Sequence, residues 1–170
     1  MRLTKSIRLS KTRRKRTVPE DWATRETLQS FTPLHSPKSA LVGARTFALN
    51  PSGDLALLGG SDGKAGVFSI EAGQIVQQFE AGSPITDALW VGSKAVLGTS
   101  AGAVKVFENG MEVSSFSGHA GEVTALALHP SGEILASVGP DKSYIFYDLT
   151  ASVQALRVST DSGKITNLVT

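Results

Sequence analysis

The chain has 170 residues, enough for one domain of ordinary size, and its 41% hydrophobic and 19% charged residues are typical of a globular protein. It has no cysteine, which excludes disulfides, thiolate catalysis and cysteine-ligated zinc, and its three histidines argue against a histidine-rich metal site. Apolar runs such as "ALWV" and "LALLGG" are far shorter than the ~20 residues of a membrane-spanning helix. We therefore expect no membrane segment, no metal and no cofactor.

The net charge of +2 comes from the first 20 residues, which contain eight basic residues and one acid, whereas the rest of the chain is acidic. The run "KTRRKR" has the composition of a nuclear-import signal, which predicts a nuclear protein. The cationic residues of this signal are Lys11, Arg13, Arg14, Lys15 and Arg16.

Other interpretations of this basic segment stay open. It could be an inert or helix-extending linker, or it could contact RNA phosphates without reading the base sequence. Residues 1–16 are also free of acids and rich in arginine, like a mitochondrial transit peptide, which is the weaker alternative for location.

Residues 21–43 form a mixed connector in which Pro33 and Pro37 discourage a long helix. Trp22 in this connector fits either an anchor against the following domain or a contact to a partner. From Ala44 onward, short runs of β-forming residues alternate with turn residues, as in "RTFALN", "DLALLGG" and "AGVFSI". A turn about every eight to twelve residues predicts an all-β stack of sheets rather than alternating strands and helices.

Two stretches of twenty residues, at 50–69 and 129–148, resemble one another without a gap and share a Pro-Ser-Gly turn. Phe68, Phe107 and Tyr147 close the third strand of successive units. A period of ~40 residues with four strands per unit is typical of β-propeller blades. After a basic, irregular or helical segment at 1–20 and the connector, we predict blades at 44–82, 83–119 and 120–163, and the first strand of a fourth at 164–170.

The third unit resembles the WD-repeat family in several positions. It has Gly118-His119 before its first strand, Ser137 in its second strand, Asp141 in the next turn and Tyr147 at the end of the third strand. The resemblance implies a buried structural network: Asp141 accepts from the His119 ring, the ring contacts Ser137, and Tyr147 closes the line.

The first two units depart from the WD pattern. Phe68 and Phe107 replace the tryptophan and carry no polar atom, and the middle unit has Ala101 where the first has Asp62. We therefore expect these two blades to depend on apolar packing more than on a polar network.

A longer resemblance joins "TRRKRTVPEDWAT" near the N-terminus to the blades and to "KITNLVT" at the end. From about Leu9 onward, this combination is similar to the spliceosomal U-box E3 ubiquitin ligases, above all the fungal ones. The family implies a U-box that recruits the conjugating enzyme, an oligomerising coiled coil, and a seven-bladed propeller that binds substrates and splicing-complex partners. It also implies roles in pre-mRNA splicing, ubiquitination and DNA repair.

The chain matches only the start of that propeller. We therefore expect a fragment without U-box, coiled coil or catalytic residues of its own. Its end blades would expose apolar faces and favour aggregation, so a sharp cooperative melt of a monomer would contradict this expectation.

Two enzyme-like patterns are better explained by structure. "GGSDGKAG" lacks the spacing and the hydroxyl residue of a phosphate-binding loop, so its glycines are predicted to serve a turn. His119, Ser137 and Asp141 are the residue types of a catalytic triad, but the blade interpretation buries them. His129 is predicted in a surface turn and Trp90 in packing. We expect a protein-interaction scaffold, with nucleic-acid binding led by the basic tail as the alternative.

Overall fold

The computed structural model describes residues 43–161, all of which belong to one compact unit. The described range consists of twelve strands joined by turns and short loops. They are β1 (Ala44–Leu49), β2 (Leu55–Gly60), β3 (Lys64–Ser69), β4 (Gln74–Glu80), β5 (Ile85–Val91), β6 (Lys94–Thr99), β7 (Ala103–Glu108), β8 (Met111–Ser117), β9 (Ala125–Leu128), β10 (Ile134–Val138), β11 (Ser143–Asp148) and β12 (Val153–Ser159).

Each group of four consecutive strands forms one antiparallel sheet in sequence order. We call these sheets blade 1 (β1–β4), blade 2 (β5–β8) and blade 3 (β9–β12). They confirm the prediction of an all-β partial propeller with three four-stranded blades. The predicted basic segment, nearly all of the connector and the fourth-blade strand at 164–170 lie outside the described residues. Between residues 43 and 161, nothing has the length and apolarity of a membrane-crossing helix.

The two similar stretches, at 50–69 and 129–148, have the same backbone conformation at their first turn. Gly53 in blade 1 and Gly132 in blade 3 each have a φ of 76°, a left-handed value that glycine adopts without steric cost. Their amides donate to Asn50 and His129 respectively, at 3.0 and 2.8 Å. The repeated Pro-Ser-Gly sequence therefore makes the same turn between the first and second strands of both blades.

A bulge between the third and fourth strands is common to all three blades. The pairing shifts at the aromatic residue that closes the third strand: between Val67 and Phe68, and at the corresponding places before Phe107 and Tyr147. A bulge bends and twists its strand locally. Its recurrence means that each aromatic enters its blade at an equivalent point.

Apolar side chains fill the space between adjacent blades. One cluster, which includes Leu57 and Leu97, lies between blades 1 and 2, and another lies between blades 2 and 3. Small residues allow the blades to approach: a Cβ on Gly59 would come within 2.5 Å of the Ile85 side chain. In blade 2, Gly98 meets Val123 in the same way, at 2.9 Å. The glycines of β2 and β6 are therefore sites of close contact between sheets.

The outer faces of blades 1 and 3 are more exposed than the matching faces inside the stack. Phe47 pairs with Leu58 in blade 1 as Ala88 pairs with Leu97 in blade 2, yet Phe47 is 67% exposed and Ala88 only 7%. Val158, at the end of blade 3, is also exposed. Within residues 43–161, these two faces have no neighbouring blade against them.

Candidate functional site

A chain of polar side chains runs through blade 3. His119 Nδ1 lies 3.0 Å from Asp141 Oδ1, and His119 Nε2 lies 2.7 Å from Ser137 Oγ. Ser137 Oγ lies 3.1 Å from Tyr147 Oη. Sequence reasoning missed Ser143, whose hydroxyl donates to Asp141 at 2.8 Å and also contacts the His119 ring. The structure thus brings together the four residues of the expected network and adds a fifth.

Asp141 is the acceptor on which this network converges. Its carboxylate also accepts from the Ala120 amide at 3.0 Å and from the Arg157 guanidinium at 3.2 Å. Burial by itself raises the pKa of Asp141, but the hydrogen bonds from His119, Ala120 and Ser143 outweigh it and hold the pKa well below the usual range. Asp141 therefore remains ionised throughout the physiological pH range.

Burial of the network is unfavourable for nucleophilic catalysis. The His119 side chain has no exposed surface, and Ser137 and Tyr147 are fully buried. Burial also raises the pKa of Tyr147, with opposing contributions from the Ser137 hydrogen bond and Arg157. A substrate would need a path to the Ser137 oxygen, and blade packing closes that path. The arrangement suits a structural role, in which hydrogen bonds connect the turn at Asp141, strand β10 at Ser137 and the aromatic residue Tyr147.

The equivalent turns in the other two blades are simpler. Asp62 in blade 1 is exposed and accepts from the Lys64 amide at 3.1 Å. In blade 2, where Ala101 occupies this position, the buried Thr99 hydroxyl donates to the Ala103 carbonyl at 2.8 Å and accepts from its amide at 3.1 Å. In blade 2, a hydroxyl within the turn therefore makes the hydrogen bonds, and no carboxylate takes part.

The blade-closing aromatics pack across the interfaces between blades. Phe107 stacks on Phe79 of blade 1 with ring centroids 4.5 Å apart, and Tyr147 packs on Phe116 of blade 2 at 4.7 Å. Phe68 stands at the same register on the outer face of blade 1 and is only half-buried. Within the described range, the aromatic therefore works as a packing element between neighbouring blades.

Asp87 connects all three blades at their innermost strands and was not identified from the sequence. One carboxylate oxygen accepts from the Leu126 amide in blade 3 at 2.7 Å, and the other accepts from the Thr46 hydroxyl in blade 1 at 3.5 Å. Next to it, the Thr86 hydroxyl donates to the Val123 carbonyl at 2.5 Å. These bonds tie the first strands of the blades to one another.

A cleft of about 600 Å³ lies at one edge of the interface between blades 1 and 2. Leu55, Val67 and Val76 of blade 1 line it from one side, and Trp90 of blade 2 lines it from the other. The Trp90 indole donates to the Ala48 carbonyl at 3.0 Å, which holds the ring across the interface. Trp90 thus packs at the interface between the blades, as expected, and its ring also forms one wall of the cleft.

Of the remaining residues that the sequence analysis singled out, some lie within the described part of the chain and others lie outside it. His129 lies exposed in the β9–β10 turn, with its ring nitrogen 3.0 Å from the Ser131 hydroxyl. Trp22 and the basic run at 11–16 lie outside the described residues. In the part of the chain that the structure describes, no group of three or more His, Asp or Glu side chains is placed to hold a metal ion.

Comparison with known proteins supports the repeat assignment. Residues 110–148 match the family model described as WD domain, G-beta repeat. The chain is also 32% identical to "WD repeat-containing protein 1" of Mus musculus, over 61% of this chain and 18% of that protein.

Two further relatives cover most of the chain. It is 32% identical to "Pre-mRNA-processing factor 19 homolog 2" of Arabidopsis thaliana, over 92% of this chain and 32% of that protein. It is 27% identical to "Pre-mRNA-processing factor 19" of Oryza sativa subsp. japonica, over 92% of this chain and 32% of that protein. The chain therefore spans about a third of the length of these curated relatives.

Proposed function

We propose that this WD-repeat chain, which is similar to pre-mRNA-processing factor 19, acts as a protein-interaction scaffold in pre-mRNA processing. Within this proposal it supplies surface that binds substrates and complex partners of a U-box ubiquitin ligase, with roles in splicing and DNA repair. The observation that carries the proposal is the similarity across 92% of the chain. Packed blades that present turns and loops at their edges suit partner binding, because a rigid scaffold fixes the positions of variable loops.

Nuclear location belongs to the same proposal. Its support is the run "KTRRKR" at residues 11–16, whose five cationic residues have the composition that import receptors bind. A mitochondrial location is the competing outcome, and fluorescence microscopy of the tagged chain with and without this run distinguishes the two.

Nucleic-acid binding by the basic tail is the second candidate function. It is favoured by the concentration of eight basic residues in the first 20 residues, against an acidic remainder. Binding of this kind depends on release of counterions, so its affinity falls steeply as salt increases. Binding by the blades is expected to depend on salt much less.

A single experiment separates the two candidates. The full chain, a variant lacking residues 1–16, and residues 1–16 fused to an unrelated carrier are used to purify splicing-complex subunits from nuclear extract, with and without RNase treatment, at low and high salt. If the blades bind, the truncated variant keeps its partners and the fusion captures none. Loss of all partners from the truncated variant, with capture by the fusion only from the extract without RNase, would reject the scaffold proposal in favour of nucleic-acid binding by the tail.

A further inference from the structure

The cleft between blades 1 and 2 is lined in large part by apolar side chains. Leu55, Val67, Val76 and Trp90 give it apolar walls, and no charged side chain between residues 43 and 161 lines it. Its volume of about 600 Å³ falls within the ~300–1,000 Å³ range of small-ligand sites. An occupant complementary to this lining is uncharged and largely apolar.

The cleft is a consequence of a short turn in blade 2. Five residues connect the first and second strands in blades 1 and 3, whereas only Gly92 and Ser93 connect β5 and β6. In the longer turns, the last residue accepts a hydrogen bond from the residue that follows the third strand. Ile70 donates to Asp54 and Leu149 donates to Glu133, both at 2.9 Å. In blade 2, the β6–β7 pairing places Ser93 opposite Asn109, but the described residues show no backbone hydrogen bond from Asn109 to Ser93.

The residue that follows the third strand also changes in blade 2. Asn109 replaces the apolar Ile70 and Leu149 and has a left-handed φ of 51°. In blade 3, Leu149 packs with Leu89 and Val91 against the core between blades 2 and 3. The neighbouring interface thus shows which group occupies the corresponding space: a leucine side chain of the protein itself.

We propose that the cleft binds an extended, uncharged peptide segment of a partner protein, which inserts one leucine, isoleucine or methionine side chain beside Trp90. This inference rests on the proposed scaffold function and names the site and the partner chemistry. The occupant extends an apolar interface that already exists, because the cleft is continuous with the contact between blades 1 and 2.

The polar part of the lining fits the main chain of such a peptide. Gln77 and Asn109 are among the lining residues, and a side-chain amide carries both donors and an acceptor for peptide groups. An RNA ligand fits less well, since none of the described lysines or arginines lines the cleft to neutralise phosphates.

The test uses two matched substitutions in the full chain. Val76→Phe places a ring into the cleft from β4. Val113→Phe makes the same change in β8, at the equivalent position three residues before the aromatic of the fourth strand. The two valines are similarly exposed, at 53% and 47%, so both variants are expected to keep the native melting curve.

A library of short random peptides is selected for binding to the full chain, and the affinity of each winner is then measured for the native chain and for both variants. The expected winners carry one leucine, isoleucine or methionine and no net charge. They bind Val76→Phe about tenfold or more weakly than the native chain, and they bind Val113→Phe like the native chain. They also shift the NMR signal of the Trp90 indole NH, which is assigned by comparison with Trp22→Phe.

Three results would overturn the cleft proposal. Peptides that bind Val76→Phe and the native chain equally would place recognition elsewhere on the blades and leave the scaffold function intact. A selection without any winner would reject the site, while the partner purification would still decide the scaffold function. Oligouridine that binds the native chain but not Val76→Phe would assign the cleft to nucleic acid.

Discussion

Blades 2 and 3 have the same strand order and the same bulge, but different interactions hold their interiors together. Blade 3 contains a line of hydrogen bonds from Asp141 through His119 and Ser137 to Tyr147. Blade 2 has no carboxylate in its turn, and its aromatic, Phe107, relies on stacking against the neighbouring blade. The polar line is therefore one of two ways to stabilise the same four-stranded sheet.

The difference shows which parts of the repeat specify the backbone. The bulge and the aromatic position at the end of the third strand occur in both blades. The polar residues differ: Ala101 stands where blade 3 has Asp141, and the buried Thr99 bonds to Ala103 across the same turn. Strand geometry thus follows from apolar positions and turns, while the network adds stability to one blade.

The largest effect is expected from removing the aromatic of blade 2. Phe107→Ala deletes a buried ring that stacks on Phe79, so it should lower the free energy of unfolding by about 3–5 kcal/mol. Denaturant unfolding followed by tryptophan fluorescence measures the change. Phe68→Ala is the matched control, because this aromatic is only half-buried on the outer face of blade 1. Equal losses in the two variants would contradict a packing role specific to the interface.

A smaller loss is expected when the polar line is broken. Asp141→Ala leaves buried donors without an acceptor and should cost ~1–3 kcal/mol of unfolding free energy. The exposed Asp62 occupies the same turn position in blade 1, so Asp62→Ala should change stability by no more than about 0.5 kcal/mol. The same unfolding experiment compares both variants. An unchanged midpoint for Asp141→Ala would show that the network does not stabilise blade 3.

The smallest effect is the dependence of stability on pH. The pKa of Asp141 is lower in the folded chain than in the unfolded chain, so the unfolded state binds more protons as the solution is acidified. The contribution of Asp141 is therefore complete well above pH ~4 and declines as the pH falls below that value. Unfolding midpoints across acidic pH should decline less steeply for Asp141→Asn than for the native chain. Parallel declines would assign the acid sensitivity to other groups.

Much of this architecture follows from short-range patterns. The period of the aromatics, the repeated Pro-Ser-Gly turn and the alternation of apolar residues were enough to predict three four-stranded blades. These patterns do not by themselves select His119, Ser137 and Asp141, which the resemblance of the third unit to WD repeats implied. The role of these residues in stability remains a prediction that the Asp141 variants measure.

Other features have no local signature. Asp87 joins three blades because its two oxygens meet groups about forty residues away on either side along the chain. Ser143, at the start of β11, reaches the ring of His119, which lies 24 residues earlier in the loop between β8 and β9. The short turn at Gly92 and Ser93 is visible in the sequence, but the cleft that it opens is visible only once blade 1 stands opposite.

The amino-acid sequence by itself determined the repeated unit, because strand alternation, turn glycines and aromatic spacing act within a few neighbouring residues. Only the tertiary structure decided the contacts between blades. These contacts include the bonds that each oxygen of Asp87 makes to a neighbouring blade, and the place beside Trp90 where the interface between blades 1 and 2 opens into a cleft. The physical reason is that packing depends on the register between separate sheets, and that register is set jointly by side chains that are distant from one another in the chain.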